Sequence, residues 1–450
     1  MVLSAGALSV GVLVDLPWRT QAGGHVKCWE RFAQAATTLG DDLEIPLDLT
    51  IHFLGDEPGE KILSPQVRYR FHRPHWGSDR IPFLKDVADQ TDLAPFHPGL
   101  VPHLLRHDVI HATHQLFSFG QTALHLTQRH GLPLVASIHT DVPHYTEIYT
   151  QAVVHKLLGH GKPGGLLAKA LIQGYQLPQR RRQAMEQTLG RYWPHCRHVW
   201  TSQAQDREAV AQVVPPDRLS HLRRGLDKTL FHPRHRDRPW LQARYGIPHD
   251  RLVVLFVGRL NACKNALGAA HTLRLLGEAG LPVHGIFVGL GPQDREIQTL
   301  LGSQVTLPGQ LEAEDLAPLY ASADLFLFPS STEIYGNVVL EAMASGLPVA
   351  ISDRGGVKHL LQGSGLDGLI IPNPDPAHWA ATLTPWLHNL PALRHLGLTA
   401  HRHVHHTWPS WREVLMEDLL PVWQSHGHRI PTPSPKPTAL SLPIMRGFMV

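Results

Sequence analysis

The residues best suited to chemistry lie between Phe256 and Gly356. Glu333 and Glu341 are separated by seven residues in FPSSTEIYGNVVLEAMASGLPVAISDRGG, Phe328–Gly356. An apolar strand, Leu325–Phe328, runs into a polar loop that carries Glu333. A helix then begins near Gly336–Asn337 and carries Glu341, with Gly346 and Pro348 marking its end. The loop therefore falls at the carboxyl end of a strand and the amino end of a helix, where open α/β sheets bind ligands. Free N–H groups and the positive end of the dipole at such a helix start suit a phosphate. The two carboxylates can accept hydrogen bonds from different hydroxyls of one sugar nucleotide. Taken alone, the same pair also fits a solvated acidic loop and a glutamate that merely favours the helix dipole.

Three neighbouring segments shift that balance. In FVGRLNACKN, Phe256–Asn265, a strand ends at Gly258 and two cations follow, Arg259 and Lys264. A bidentate fork and a point charge together can neutralise a departing diphosphate without proton transfer. FVGLGP, Phe287–Pro292, and DRGG, Asp353–Gly356, are further glycine turns at strand ends. Four such loops in one half of the chain, bearing two cations and two carboxylates, point to one ligand site.

Elements that could position these loops recur along the chain. Apolar runs at Leu8–Val14, Leu49–Leu54, Asp108–His111, Leu134–Ile138 and His198–Thr201 form one set. A second set is Leu252–Val257, Gly285–Val288, Leu325–Phe328, Val349–Ser352 and Leu369–Ile371. Continuous rather than alternating apolar runs, spaced by helix-length segments, predict two doubly wound α/β domains with parallel sheets. A length of 450 residues suits two such domains, and 43% hydrophobic with 18% charged residues suits globular packing. The sets break at Leu226–Pro239, rich in Pro, His and Arg, where the linker between domains is expected. Residues 1–228 and 229–409 are the predicted domains, followed by a helix at 410–427 and a Pro-rich, disordered tail at 428–450. The apolar start, Met1–Trp18, lacks a positive leader region and reads as a buried first strand rather than a signal peptide.

Composition narrows the partners. A net charge of +3 argues against general nucleic-acid binding. Cys28, Cys196 and Cys263 lie far apart without CxxC spacing, which suits a reducing compartment and argues against a zinc ribbon. No DxD triplet is present, and no metal site or cofactor is expected. His401, His403, His405 and His406 alternate in a way that could face a metal, but the general abundance of histidine favours incidental surface residues. Residues 151–192 set Lys156, Lys162, Lys169, Arg180, Arg181, Arg182 and Arg191 against one acid, Glu186, with leucines interleaved. That segment fits either an anionic membrane surface or a solvated helical face.

VGRL…KN, then GLGP, then the two glutamates within E-IYGNVVLEAMASGLPV together resemble family 4 of the retaining glycosyltransferases. Ala22–Gly24, DVIHATHQ (Asp108–Gln115), LVASIHTDVPHY (Leu134–Tyr145) and RRGLDKTLFHP (Arg223–Pro233) also fit. GNVVLEAMASG and RRGLD resemble a subgroup that glycosylates lipids, including sulfoquinovosyl, mannosyl or glucosyl transfer to diacylglycerol. The resemblance implies a GT-B fold, two Rossmann-like domains facing across a cleft, and transfer of a hexosyl group from a UDP- or GDP-sugar to a lipid or saccharide hydroxyl. It further implies that Arg259 and Lys264 hold the donor diphosphate, Glu333 contacts the donor sugar and Glu341 the ribose. Tyr335, Gly336, Asn337 and Val338 would line sugar and phosphate through backbone N–H groups. Gly23 and Gly24 would approach the donor from the first domain, and His139 would face the reacting sugar. Two positions depart from the commoner family form, His359 in place of Glu and Arg224 in place of Asn; the arginine is shared with the lipid-acting subgroup. A cytoplasmic enzyme, peripheral on the inner face of the membrane, is the implied setting. The helix at 410–427 either crosses back to the first domain, as the resemblance suggests, or closes the second. Other enzymes of this scaffold, a phosphorylase or an epimerase, and a non-catalytic binding subunit remain as alternatives; intact Arg259, Lys264, Glu333 and Glu341 argue against the last.

Overall fold

The computed structural model describes residues 6–19, 23–39, 43, 45–80, 90–139, 142–158, 164–331, 336–372 and 374–427. The chain divides into two compact units, Met1–Arg224 with Trp411–Val450, and Gly225–Ser410. Both are α/β units built on largely parallel sheets.

In the first unit, β1 (Leu8–Pro17), β2 (Leu47–Leu54), β3 (Gly59–Ser64), β4 (Val67–His72), β5 (Val109–Ala112), β6 (Leu134–Ser137), β7 (His198–Thr201) and β8 (Leu219–His221) form one sheet. Its order is β3-β4-β2-β1-β5-β6-β7-β8, parallel except for the edge pair β3–β4. Strands β1, β2, β5, β6 and β7 are almost wholly buried, which is why they read as continuous apolar runs. The β3–β4 hairpin carries no such run. Its β3 sequence, GEKILS, is mostly exposed and charged, as an edge strand should be.

The second unit orders β9 (Leu252–Val257), β10 (Val283–Val288), β11 (Val305–Gly309), β12 (Leu325–Phe328), β13 (Val349–Ser352) and β14 (Leu369–Ile371) as β11-β10-β9-β12-β13-β14, all parallel. The chain starts in the middle at β9, builds outward to β11, then returns to β9's other side for β12. That reversal is a topological switch point.

The segment expected as a linker, Leu226–Pro239, is instead folded into the second unit. Phe231 is 2% exposed in its core, and Arg238 donates to the buried Asp324 carboxylate at 3.1 Å. The chain passes between units at Arg224/Gly225 and Ser410/Trp411. The terminal segment Trp411–His426 packs in the first unit, with Val414, Leu415, Leu419, Leu420 and Trp423 in its core. Arg223 clamps it, donating to Asp418 from its backbone N at 3.0 Å and its Nε at 3.0 Å, and to Glu417 at 2.7 Å. The tail at 428–450 lies outside the described residues. Among those described, no helix is long and apolar enough to cross a membrane.

Two of the histidines expected to be incidental surface residues have packing roles. His401 Nδ1 donates to the Ala344 carbonyl at 2.7 Å, and His403 Nδ1 meets the buried Asp367 carboxylate at 2.6 Å.

A chain of imidazoles is buried in the first unit beside β2 and β4. His52 Nδ1 lies 2.9 Å from His72 Nε2, His52 Nε2 lies 3.1 Å from His107 Nε2, and His107 Nδ1 lies 3.0 Å from Ser9 Oγ. Burial pushes His72 down to about 3 and His52 well below the ordinary value of 6.5. The unfolded chain takes up protons below that value and the folded chain does not, so stability falls as pH drops through it. Each histidine kept neutral lowers stability by roughly 1 kcal/mol at about pH 5.5. The urea midpoint should therefore fall between pH 7.5 and pH 5.5, and His52→Gln should flatten the slope; equal slopes in both proteins would refute the assignment.

Candidate functional site

The loops singled out by sequence come together at the carboxyl edge of the second unit's sheet. Strand β9 lies beside β12, so the loop holding Arg259 and Lys264 is the neighbour of the loop leading to helix Asn337–Ala344. Side chains join the two: Ser330 Oγ donates to the Cys263 carbonyl at 3.4 Å, and Asn265 Nδ2 reaches the Pro329 carbonyl at 3.5 Å. Lys264 closes a single helical turn, Ala262–Lys264, capped by Asn261 Oδ1, which accepts from Lys264 N at 3.1 Å. Asn265 follows in the left-handed region at φ 53°, a conformation asparagine tolerates. Arg259 is exposed and Lys264 half-buried.

The loop after β10 is laced to the β9 loop by backbone bonds. Gly258 N donates to Val288 O at 2.9 Å, and Leu260 N to Leu290 O at 3.0 Å. A Cβ on Gly289 would stand 2.0 Å from the Gly258 carbonyl oxygen, and its φ is +135°. Only glycine allows this approach, so the GLGP turn serves to set the cation loop.

Gly336 caps helix Asn337–Ala344 at φ +58°, and a Cβ there would meet Val357 Cγ1 at 2.6 Å. The segment after DRGG thus packs directly on the start of this helix. Asn337 follows Gly336 with its Oδ1 buried, and Asp353 Oδ1 is buried near the end of β13; neither oxygen has a hydrogen-bond partner among the described residues. Two acceptors of this kind suit ligand hydroxyls. Val338 packs partly against the core. Glu341 Oε2 accepts from Tyr320 OH at 3.2 Å, which ties this carboxylate to helix Ala313–Ser322. Glu333 and Tyr335 lie outside the described residues.

In the first unit, Gly23 caps helix Gly24–Thr37 without a side-chain bond, and Gly24 is exposed with open space before it. This turn follows β1, beside β5 at that sheet's own switch point. His139, just beyond β6, is buried; its Nε2 bonds Ser137 Oγ at 2.7 Å and its ring stacks on His25 with centroids 4.4 Å apart. Ser330, Asn265, Tyr320, Asp353, His25 and Ser137 were not singled out by sequence. Most lie within or next to the motifs quoted there, and the signal that would have found them is strand adjacency.

The chain thus comprises two Rossmann-like α/β units, each with loops at the switch point of a parallel sheet. Residues 251–389 match the model of the family described as glycosyl transferases group 1. A D-inositol 3-phosphate glycosyltransferase of Catenulispora acidiphila is 26% identical over 74% of this chain and 76% of that protein. The sulfoquinovosyl transferase SQD2 of Arabidopsis thaliana is 28% identical over 59% of this chain and 46% of its own length. The structure of Anabaena HepE in complex with UDP and glucose superposes with a TM-score of 0.62 over 93% of this chain and 100% of that one, at 15% identity. Over residues 251–389 the chain is similar to the group 1 glycosyltransferases, and the named relatives indicate a transferase.

Gly289→Ala should cost about 2–3 kcal/mol through backbone overlap and a disfavoured φ. Thermal unfolding checks this, and an unchanged melting temperature would mean that the β9 and β10 loops are not held together as described.

Proposed function

We propose that this chain is a retaining glycosyltransferase that moves a hexosyl group from a nucleotide-diphosphate sugar to an acceptor hydroxyl. The observation that carries the reading is the junction of the β9 and β12 loops at a switch point, where the loop bearing Arg259 and Lys264 adjoins the one that leads to a glycine-capped helix. The donor's diphosphate would sit there, with Arg259 and Lys264 offsetting the negative charge that builds as it departs. Backbone N–H groups at Tyr335–Val338 would meet phosphate and sugar oxygens, and Glu341 the ribose hydroxyls. Glu333 would contact the sugar, and the Gly23–Gly24 turn would approach the donor from the first unit.

In this reaction the bond from the anomeric carbon to the phosphate oxygen breaks and one to the acceptor oxygen forms on the same face. The acceptor's proton passes to the departing phosphate oxygen, so no protein nucleophile, metal or cofactor is required. The UDP complex of the Anabaena neighbour and the resemblance of the motifs support a UDP- or GDP-sugar donor.

The resemblance of GNVVLEAMASG and RRGLD to the lipid-glycosylating subgroup supports a lipid acceptor, whereas the relative named for D-inositol 3-phosphate supports a soluble one. Exposed Leu166, Lys169, Tyr175 and Arg180, with the Arg180 guanidinium 4.2 Å from the Tyr175 ring centre, support an anionic membrane dock within residues 151–192. Arg182 is drawn off that face by Glu147 and Glu186 at 3.1 and 2.8 Å.

Glu333→Ala and Lys264→Ala should each reduce turnover to about a hundredth or less with the fold intact. Screening UDP- and GDP-sugars for hydrolysis, then for transfer to diacylglycerol, reads this; more than about a tenth of wild-type turnover in either variant would defeat the proposal. Sedimentation should recover more protein with anionic than with neutral vesicles, and equal recovery would remove the electrostatic dock.

A further inference from the structure

Both ring nitrogens of His139 are engaged inside the first unit. Nε2 lies 2.7 Å from Ser137 Oγ, and Nδ1 lies 3.3 Å from an Arg224 terminal nitrogen. A guanidinium can only donate. Nδ1 must therefore accept, and the ring proton must sit on Nε2. Nε2–H donates to Ser137 Oγ, and the serine proton goes to His111 Nε2 at 2.8 Å. His111 then carries its own proton on Nδ1, a buried atom with no partner among the described residues. Each link has one direction because the chain starts at a group that cannot accept.

A second proton on His139 would set two donors against each other at the Arg224 contact. The groups packed around it oppose that charge. From helix Gly24–Thr37 come His25, stacked at 4.4 Å, and the edge of Trp29 at 5.8 Å. His111 and His114 face it from β5 and the loop beyond, and Arg224 from the segment after β8. Burial, then Arg224, hold the ring well below its ordinary range. The other terminal nitrogen of Arg224 is held as well, since it donates to Cys28 Sγ at 2.6 Å.

Each of these groups leaves the carboxyl edge of the sheet: His25 after β1, His114 after β5, His139 after β6 and Arg224 after β8. His25, at the opening of its helix, has both ring nitrogens buried and without a partner among the described residues.

We infer that His139 is a positioning residue, and that the group it presents is the Arg224 guanidinium, which binds an anionic oxygen of the substrate at the carboxyl edge of the first unit's sheet. The inference rests on the donor reading above. It departs from the role the family resemblance implies for His139, because the ring has no nitrogen left to offer a sugar.

The test begins with the free protein. Nitrogen-15 spectra of histidine-labelled chain, with His139 assigned through His139→Gln, should give a neutral ring protonated on Nε2 from about pH 5.5 to 8. His139→Gln can still accept from Arg224 and should keep turnover in nucleotide-sugar hydrolysis within about tenfold of wild type, with no change in the pH profile. His139→Ala and Arg224→Met should lose about a hundredfold or more. In titrations with UDP and GDP, weakened binding by Arg224→Met assigns the oxygen to the diphosphate; unchanged binding with lost turnover assigns it to the transferred group. An Nδ1–H tautomer, a histidine limb in the pH profile that His139→Gln abolishes, or near-normal turnover in folded Arg224→Met would overturn the inference. Failure of the wild-type chain to bind any nucleotide would sink the donor reading instead, and the tautomer result would stand apart from it.

Discussion

The pairing of β9 with β12 governs the candidate site. Because β9 is first in its unit yet central in its sheet, the loops that leave β9 and β12 in the same direction must be neighbours. One brings Arg259 and Lys264, and the other leads to Gly336, Asn337 and the dipole of their helix. Distant stretches of chain are thereby joined by strand pairing. Pairing a parallel strand in this register does the work, and the glycines beside it permit the close backbone approach that follows.

Glycine placement sets the tolerance of this arrangement. Gly289 lets the β10 turn lie against the Gly258 carbonyl, and Gly336 lets Val357 press on the helix start. Rigid backbone contact holds the cation loop and the helix start in place before any ligand arrives, which is the condition for electrostatic stabilisation without reorganisation. Buried acceptors at Asn337 and Asp353 are part of the same preparation. They carry a desolvation cost that a bound hydroxyl would relieve.

Much of this was legible in the amino-acid sequence. Strands buried on both faces announce themselves as apolar runs, so β1, β2, β5–β7, β9, β10 and β12–β14 could be read directly. Edge elements could not: β3, β8 and β11 are partly exposed, and their mixed composition gives no periodic signal. Leu226–Pro239 was misread because proline, histidine and arginine suggest a linker, whereas Phe231 and the Arg238–Asp324 pair bind it to the second unit. In the site, charge and glycine spacing marked Arg259, Lys264 and Gly336. Tyr320, Ser330 and Asp353 have no local signature, since their roles come from which strands are adjacent. Arg224 was visible as a departure from the commoner family form, but its hold on His139 and Cys28 depends on three separate elements meeting.

The most direct measurement is a crystal structure of the chain with a bound nucleotide diphosphate. The account predicts the diphosphate at the carboxyl edge of β9 and β12, contacted by Arg259, Lys264 and the N–H groups at the start of helix Asn337–Ala344, with the ribose beside Glu341. A diphosphate bound at another edge of the sheet, or one out of reach of both cations, would contradict it.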